Sequence, residues 1–213
     1  MTSDGSHTIF VPELDEHYHS IHGAVQESEF IFVRTGFESC EMNPVNIFEA
    51  GFGTGLNALL TAIKSMKGER EVFYTSIEKY PLSEDITNSL NYNLFTSDED
   101  SSLFRLIHSA PWNTSVRICR NFNLTKIEGD LTSFSFPGKY DLIYFDAFGP
   151  DKQPEMWTED VFTSIGSVTV KGGIFVTYSA KGDVKRKLRA SGFDVRLLPG
   201  PPGKRQIIRA VKN

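Results

Sequence analysis

The sequence predicts an α/β protein with a largely parallel sheet, and three observations favour this class. Apolar runs of strand length alternate with segments of helical periodicity along the 213 residues. Residues 140–146 are nearly all apolar between two acids, which is typical of a strand buried on both faces. A glycine-rich turn over residues 51–55 joins one such run to a helical segment. The length suits one domain, so we expect residues 1–213 to form a single domain, with residues 1–44 as an N-terminal extension that packs near the site.

The individual elements follow from local patterns. Strands are predicted where β-branched and aromatic residues concentrate or alternate, and helices where Leu and Ile recur at helical spacing. The predicted strands cover residues 45–50, 71–78, 140–146, 172–179, 193–198 and 205–211. Residues 117–130 are predicted to form a hairpin or a strand after a turn. The predicted helices begin at Leu56 and cover residues 83–94, 103–109 and 184–190, and the polar run 96–102 is a loop or a helix start. Residues 1–44 are predicted to be irregular. The loop 198–203 is too short for a parallel crossover, so the last strand is predicted to be antiparallel.

Charge and cysteine content exclude several classes of protein. The formal net charge of −5 argues against binding of nucleic acid through bulk charge alone. That average hides an asymmetry, because residues 181–213 carry +8 and the first 180 residues carry −13. No apolar run reaches the roughly 18 residues of a membrane span, and no secretory signal is expected. Cys40 and Cys119 form no CxxC pair, so we expect a reducing, cytoplasmic setting.

The strongest local signal is the sequence Glu-Ala-Gly-Phe-Gly-Thr-Gly over residues 49–55. Glycines allow a sharp turn and the close approach of a ligand, and in an open α/β sheet this turn lies at the carboxyl ends of the strands. The GxGxG spacing, Glu49 before the loop and Glu78 at the end of the next strand suit a cation and a ribose better than a pyrophosphate. These features favour S-adenosyl-L-methionine (AdoMet), while NAD or FAD binding and a purely structural turn are the alternatives.

Two further acids end predicted strands. Asp130 is placed to accept a hydrogen bond from an adenine amino group, and the alternative is an ordinary turn residue. Asp146 ends a buried strand and precedes Ala-Phe-Gly-Pro, which is typical of the floor of a site, with a helix cap or a loop acid as the alternative. His17, His19 and His22 do not have a standard zinc spacing, so no metal is expected.

Several blocks of residues occur in the order found in one known family. They cover residues 4–6, 16–20, 23–28, 49–57, 74–81, 146–157, 177–182 and 200–205, and include Asp-Ala-Phe-Gly-Pro-Asp-Lys-Gln-Pro-Glu-Met-Trp. Through these blocks the chain resembles the methyltransferase part of MnmC-type enzymes, which modify the wobble uridine of tRNA. The resemblance implies a Rossmann-like, class I AdoMet-dependent methyltransferase fold. It also implies N-methylation of the 5-aminomethyl group of (2-thio)uridine, giving 5-methylaminomethyl-(2-thio)uridine.

The resemblance implies roles for individual residues. Asp146 lies on the motif beside the transferred methyl group, and we expect it to hydrogen-bond the attacking amine and to accept or relay its proton. Tyr18 and Gln26 are expected to help close the cofactor site. The remaining residues on cofactor-binding motifs are Glu49, Gly51, Gly53, Gly55, Asn57, Glu78, Lys79 and Asp130.

Aromatic and basic residues are candidates for substrate binding. Phe148 and Tyr178 are candidates to stack on a splayed-out uracil, with core packing as the alternative. Lys181, Lys204 and Arg205 are candidate phosphate contacts, with a solvated surface as the alternative. We further expect the cations of the basic tail, residues 181–213, to cluster on one face that docks tRNA.

Many members of the family carry a C-terminal FAD-dependent oxidase domain, whereas this sequence contains no second glycine fingerprint. We therefore expect no FAD, and we expect separate enzymes to supply the aminomethyl-uridine substrate. Rival functions on the same fold are a small-molecule amine methyltransferase or a polyamine aminopropyltransferase, neither of which requires a basic tail. A non-enzymatic binding module is a further rival, although the full set of strand-end acids argues against it.

Overall fold

The computed structural model describes residues 1–97 and 100–213, so residues 98 and 99 of the predicted polar loop lie outside the described part. In chain order the strands are β1 (Phe10–Val11), β2 (Glu16–His17), β3 (Val45–Ala50), β4 (Val72–Glu78), β5 (Ser115–Cys119), β6 (Phe122–Glu128), β7 (Tyr140–Phe145), β8 (Thr169–Thr177), β9 (Phe193–Pro199) and β10 (Gln206–Lys212). The α-helices are α1 (Ala24–Ser28), α2 (Leu56–Lys67), α3 (Glu84–Asn88), α4 (Leu103–Ser109), α5 (Glu159–Val168) and α6 (Gly182–Ala190).

Within the described residues, β3 to β10 form one sheet in the order β5-β6-β4-β3-β7-β8-β10-β9. Neighbours from β6 to β8 are parallel, whereas β5 pairs antiparallel with β6, and β10 pairs antiparallel with β8 and β9. The α/β class, the largely parallel sheet and the antiparallel last strand are therefore confirmed. Because β3 has β4 on one side and β7 on the other, the strand order reverses at β3, and a crevice for a ligand forms at the carboxyl ends there.

Helices cover both faces of the sheet and create two apolar cores. On one face Ile47 of β3 packs with Leu59 of α2, and on the other Phe145 of β7 packs with Phe162 of α5. All six residues of β7 are buried, as predicted for a strand covered on both faces. Burial contributes about 1.5–3 kcal/mol for each large apolar side chain. This packing holds the strand ends, and with them the acids that follow the strands, in fixed positions.

The first 44 residues are more ordered than predicted. Strands β1 and β2 form a hairpin, and α1 continues into a π-helical segment, Glu29–Arg34, whose Phe32 is buried in the core. The Asp4 carboxylate accepts hydrogen bonds from the backbone N–H groups of Ser6 and Gln26, each at 3.0 Å, and so ties the amino terminus to α1. These contacts link residues distant in sequence, which is why local periodicity does not predict the segment.

Two helical regions also differ from the prediction. The sequence pattern does not predict α5, because its β-branched residues and Gly166 have low helix propensity. Packing accounts for Gly166, since a Cβ there would lie only 2.6 Å from the Ser191 carbonyl oxygen. The predicted helix over residues 83–94 is divided into α3 and a 3₁₀ turn, Tyr92–Phe95.

Candidate cofactor and substrate site

A cavity of about 1050 Å³ lies at the carboxyl ends of β3, β4, β6 and β7. In open α/β sheets this edge is where ligands bind. The hairpin β1–β2 and the chain leading into α1 form the opposite wall. The structure brings together on this cavity most of the residues predicted for the site, namely Tyr18, Gly51, Gly53, Asn57, Glu78, Lys79, Asp130, Asp146, Phe148, Tyr178 and Lys204.

The glycine loop adopts a backbone conformation that other residues rarely take. Gly51, Gly53 and Gly55 have φ angles of 91°, 49° and 72°. A Cβ on Gly51 would lie 3.0 Å from the carbonyl oxygen of Asp146, and a Cβ on Gly53 would lie 3.0 Å from the Tyr18 ring. Gly55 faces away from the cavity lining toward His108, where a Cβ would lie 2.9 Å from Nε2. The glycines therefore permit the turn from β3 into α2 and the close approach of Asp146, Tyr18 and His108 to the loop.

Asn57 connects two carboxylates beneath the loop. Its Nδ2 donates hydrogen bonds to Glu49 Oε1 at 3.0 Å and to Asp146 Oδ2 at 2.8 Å. Glu49 has no solvent exposure, and its Oε2 accepts a hydrogen bond from Ser76 Oγ at 2.6 Å. Burial raises the pKa of Glu49 to about 8. Glu49 was expected to bind the cofactor, but it does not line the cavity. It is linked to the cavity lining through Asn57.

Asp146 presents its carboxylate to the cavity directly after β7. Its backbone N–H donates to the Ala50 carbonyl oxygen at 3.0 Å, which fixes it against the end of β3. Burial is the main cause that raises its pKa well above the usual range, and the nearby Glu49 and Glu27 charges raise it further. The Asn57 hydrogen bond and the Lys204 charge oppose that shift. A cation beside Asp146 would favour its ionised form.

Glu78, Lys79 and Asp130 form a second polar group at the other end of the cavity. Glu78 accepts hydrogen bonds from the backbone N–H groups of Gly53, at 3.0 Å, and Tyr80, at 2.9 Å, and burial raises its pKa. Asp130 pairs with Lys79 Nζ at 2.8 Å, and the Lys79 hydrogen bond is the main cause that lowers the pKa of Asp130 to about 2. Asp130 is therefore ionised at neutral pH, and this end of the cavity offers carboxylate acceptors for hydroxyl and amino groups.

Aromatic rings form the wall near Asp146. The rings of Tyr18 and Phe148 meet edge to face with centroids 4.9 Å apart, and Tyr178 Oη donates to the Ala147 carbonyl oxygen at 2.9 Å. Trp157 is only 2% exposed and donates from Nε1 to the Phe148 carbonyl oxygen at 2.7 Å, so it supports the wall from the core. Phe148 and Tyr178, the two candidates for stacking on the base, both line the cavity.

Besides Glu49 and Gly55, three more residues predicted for the site lie outside the cavity lining. Gln26 is exposed, because the α1 turn directs the next residue, Glu27, into the cavity instead. Lys181 is exposed and pairs with Asp151 at the N-terminal end of α6. Arg205 is exposed in the loop before β10 and does not reach the cavity lining. Of the three predicted phosphate contacts, only Lys204 lines the cavity.

The basic tail does not form a single face. Arg209 on β10 donates to Ser39 Oγ at 2.9 Å on one side of the sheet. Lys187 on α6 donates to the Trp157 carbonyl oxygen at 2.7 Å on the other side. Because consecutive β10 side chains point to opposite faces and α6 covers one of them, the tail charges are divided between two surfaces. The expected clustering of the tail cations on one face is therefore wrong, which weakens the expectation that the tail forms a local docking face.

The structure also shows two site residues, Glu27 and His19, that the sequence analysis did not assign to the cofactor or substrate site. Glu27 is 8% exposed, lines the cavity and pairs through Oε1 with Lys204 Nζ at 3.0 Å. His19 is 9% exposed, and its Nε2 lies 2.7 Å from Thr54 Oγ1 in the glycine loop. Burial lowers the pKa of His19 to about 4, so it is neutral. Only their positions within matched sequence blocks mark these residues in the sequence.

The three histidines of the N-terminal segment do not converge. Only His19 is buried among them, and the His17 ring packs on Phe10 with centroids 4.9 Å apart. Within residues 1–97 and 100–213, no group of three or more His, Cys, Asp or Glu side chains is arranged to hold a metal ion.

The donor set of the cavity fits AdoMet. Its sulfonium and ammonium are cations, its ribose carries two hydroxyls, and it has no phosphate, which matches a lining rich in carboxylates along an open glycine loop. Asn57 Oδ1 is buried without a hydrogen-bond partner among the described residues, so it is free to accept a ligand N–H. Glu78 and Asp130 would hold the ribose and the adenine, and the lining beside Asp146 would hold the sulfonium end.

Fold and site together define a protein with the class I AdoMet-dependent methyltransferase fold. Residues 111–213 match the model of a family described as S-adenosyl-L-methionine-dependent methyltransferase. The chain is 30% identical, over 96% of its length, to the tRNA 5-methylaminomethyl-2-thiouridine biosynthesis bifunctional protein MnmC of Campylobacter hominis, of which it covers 31%. It is 28% identical to MnmC2 of Aquifex aeolicus, whose crystal structure superposes with a TM-score of 0.79 over 98% of this chain and 67% of that one.

These similarities confirm the predicted resemblance to the methyltransferase part of MnmC-type enzymes. The chain spans about a third of the length of the curated relatives it matches. Spermidine synthase of Thermotoga maritima superposes with a TM-score of 0.60 at 13% identity, over 100% of this chain and 72% of that one, which reflects a shared fold alone.

Among the described residues, no helix has both the length and the apolar character needed to cross a bilayer.

Proposed function

We propose that this protein transfers a methyl group from AdoMet to the 5-aminomethyl group of (2-thio)uridine at the tRNA wobble position, giving 5-methylaminomethyl-(2-thio)uridine. Similar proteins are named for the biosynthesis of 5-methylaminomethyl-2-thiouridine in tRNA, which supports this substrate. The proposal takes residues 1–213 as one methyltransferase domain that acts in the cytoplasm without FAD or a metal ion. Separate enzymes would then supply the aminomethyl-uridine.

The observation that carries the proposal is the environment of Asp146. A carboxylate at this strand end lies beside aromatic walls and is held by Asn57 at 2.8 Å. A primary alkylamine is mostly protonated at neutral pH, since the comparable lysine amine has a reference pKa of about 10.4. An ammonium group entering the cavity would pair with Asp146, and its charge would stabilise the ionised carboxylate.

Asp146 is suited to remove a proton from that ammonium. Its pKa lies well above the usual range because of burial, so it is a stronger base than a solvated aspartate, whose reference value is about 3.9. The proton moves to a carboxylate oxygen, and the electrons of the broken N–H bond become the nitrogen lone pair. Asn57 keeps the carboxylate in place during the transfer.

When bound, AdoMet supplies a methyl group on a positively charged sulfur, so that an N–C bond forms as the C–S bond breaks and its electron pair stays on sulfur. The chain has to hold the amine in line and exclude water. Orientation of this kind can lower the activation barrier by about 7–11 kcal/mol. Phe148 and Tyr178 would flank the base, and the acidic lining would favour a cationic group over a phosphate at this depth.

A direct test incubates the purified protein and AdoMet with tRNA that carries 5-aminomethyl-2-thiouridine. We expect the wobble nucleoside to gain one methyl group, detected by mass spectrometry after digestion. Spermidine and putrescine serve as parallel substrates for the rival small-molecule functions. Methylation of polyamines, or of no substrate in a protein that binds AdoMet, would contradict the proposal.

A further inference from the structure

A second carboxylate, Glu27, faces the amine end of the cavity. Glu27 comes from α1, on the wall opposite the strand ends, and is more than nine-tenths buried. Its Oε2 accepts a hydrogen bond from the Ser20 backbone N–H at 2.8 Å, and its Oε1 pairs with Lys204 Nζ at 3.0 Å. An ionised carboxylate has about four acceptor positions, so two remain for a ligand.

Contacts place Glu27 near Asp146. Lys204 Nζ, the partner of Glu27, also lies 4.5 Å from the centroid of the Tyr178 ring. Tyr178 Oη in turn bonds to Ala147, the residue after Asp146. Glu27 and Asp146 line the same cavity, and the Glu27 charge contributes to the raised pKa of Asp146. Asn57 holds Asp146 at the strand ends, whereas Glu27 projects from α1, so the two carboxylates lie on different walls of the cavity.

A neutral primary amine has two N–H bonds and one lone pair. Two acceptors that hold both N–H bonds leave the lone pair with a single direction, whereas one acceptor leaves the amine free to rotate. We propose that Glu27 is a substrate-positioning residue. Once one carboxyl oxygen of Asp146 holds the proton taken from the ammonium, the other Asp146 oxygen accepts one of the two remaining N–H bonds and Glu27 accepts the second, which aims the lone pair at the methyl group. This inference rests on the proposed function.

The same geometry limits the reaction to one methyl group. After one transfer, the neutral product is a secondary amine with a single N–H bond, and its new methyl group takes the direction of one of the two acceptors. That product can engage only one carboxylate, so its lone pair is no longer aligned. Glu27 therefore determines selectivity for the primary over the secondary amine.

The test is an internal competition in one reaction between tRNA with 5-aminomethyl-uridine and tRNA with 5-methylaminomethyl-uridine. The ratio of the two products does not depend on the folded fraction of a variant. Calorimetry measures the AdoMet affinity of each variant separately. We expect the wild-type protein to prefer the primary amine, and Glu27→Gln to lower that preference about fivefold or more, because a charge-assisted acceptor is lost. Glu29→Gln is the matched control, since Glu29 lies two residues along, pairs with Arg34 at 3.7 Å and is outside the cavity lining.

Lys204→Met separates the acceptor role from the ion pair. It removes the partner of Glu27 and leaves the carboxylate, so the preference for the primary amine should persist. An unchanged ratio in Glu27→Gln, or an equal loss in Lys204→Met, would overturn the inference while leaving the proposed function intact. Failure of the wild-type protein to methylate the primary amine would instead refute the function itself.

Discussion

Replacing Asp146 with Asn is expected to slow methyl transfer by about 100-fold or more, while AdoMet affinity changes by less than about threefold. The amide has nearly the same shape, but it neither attracts the substrate ammonium nor accepts its proton. Asn57 Nδ2 can still donate to the new carbonyl oxygen, so the fold beneath the glycine loop is preserved. Single-turnover rates on aminomethyl-tRNA and calorimetry with AdoMet measure the two effects.

Asp141→Asn is the matched control for that variant. Asp141 is in β7, the strand that Asp146 directly follows, and is 9% exposed. It accepts its hydrogen bonds from Asn46 and lies outside the cavity lining. Turnover of Asp141→Asn should match that of the wild-type protein. Near-normal turnover of Asp146→Asn would show that the carboxylate is not needed for the reaction.

Replacing Asn57 with Leu is expected to lower the free energy of unfolding by about 3 kcal/mol at pH 8. Two hydrogen bonds to carboxylates are lost, each worth about 1.5–3 kcal/mol. Glu49 and Asp146 would then lack the donor that joins them. Urea denaturation measures the change, and weaker AdoMet binding should accompany it, because Asn57 lines the cavity.

The penalty of Asn57→Leu should depend on pH. In the folded protein the pKa of Glu49 is raised to about 8, and the pKa of Asp146 is also raised. An acid with a raised folded pKa keeps its proton in the folded state after the unfolded chain has lost it, so stability falls as pH rises from about 4.5 to 8. Loss of Asn57 raises both values further, so the penalty should be smaller at pH 5 than at pH 8.

Asn46→Leu controls for the loss of an Asn–carboxylate bond. Asn46 Nδ2 donates to Asp141 Oδ2 at 3.0 Å, and Asp141 retains the Asn46 backbone N–H at 2.8 Å. Its cost should be about 1.5 kcal/mol, the lower end of the range for one such hydrogen bond, with AdoMet binding unaffected. Equal costs for both variants at every pH would contradict the account of the buried carboxylates.

Much of the fold can be predicted because its signals are local. The glycine turn, the apolar run of β7 and the short loop before β10 each have one plausible structure, and the strand-end positions of Glu78 and Asp146 follow from them. Those acids reach one cavity because parallel strands end at the same edge of the sheet. The resemblance in sequence blocks adds the reaction, which local patterns alone do not supply.

The features that the sequence does not predict depend on contacts between segments that are distant in the chain. Glu27 enters the cavity because α1 packs against α2, a contact between segments distant in sequence. Nothing in its neighbouring residues distinguishes it from Gln26. Glu49 adjoins the glycine loop in sequence, yet the pleat directs its side chain to Ser76 and Asn57 rather than to the ligand space. The basic tail looks like one patch in sequence, and strand alternation divides it between two faces.

The central claim is that the amine of 5-aminomethyl-(2-thio)uridine in tRNA receives the methyl group. Nucleoside mass spectrometry of tRNA from cells that lack this protein tests it most directly. We predict accumulation of 5-aminomethyl-(2-thio)uridine, which is reversed by the wild-type gene and not by the Asp146→Asn form. A normal content of 5-methylaminomethyl-(2-thio)uridine in cells without the protein would contradict the account.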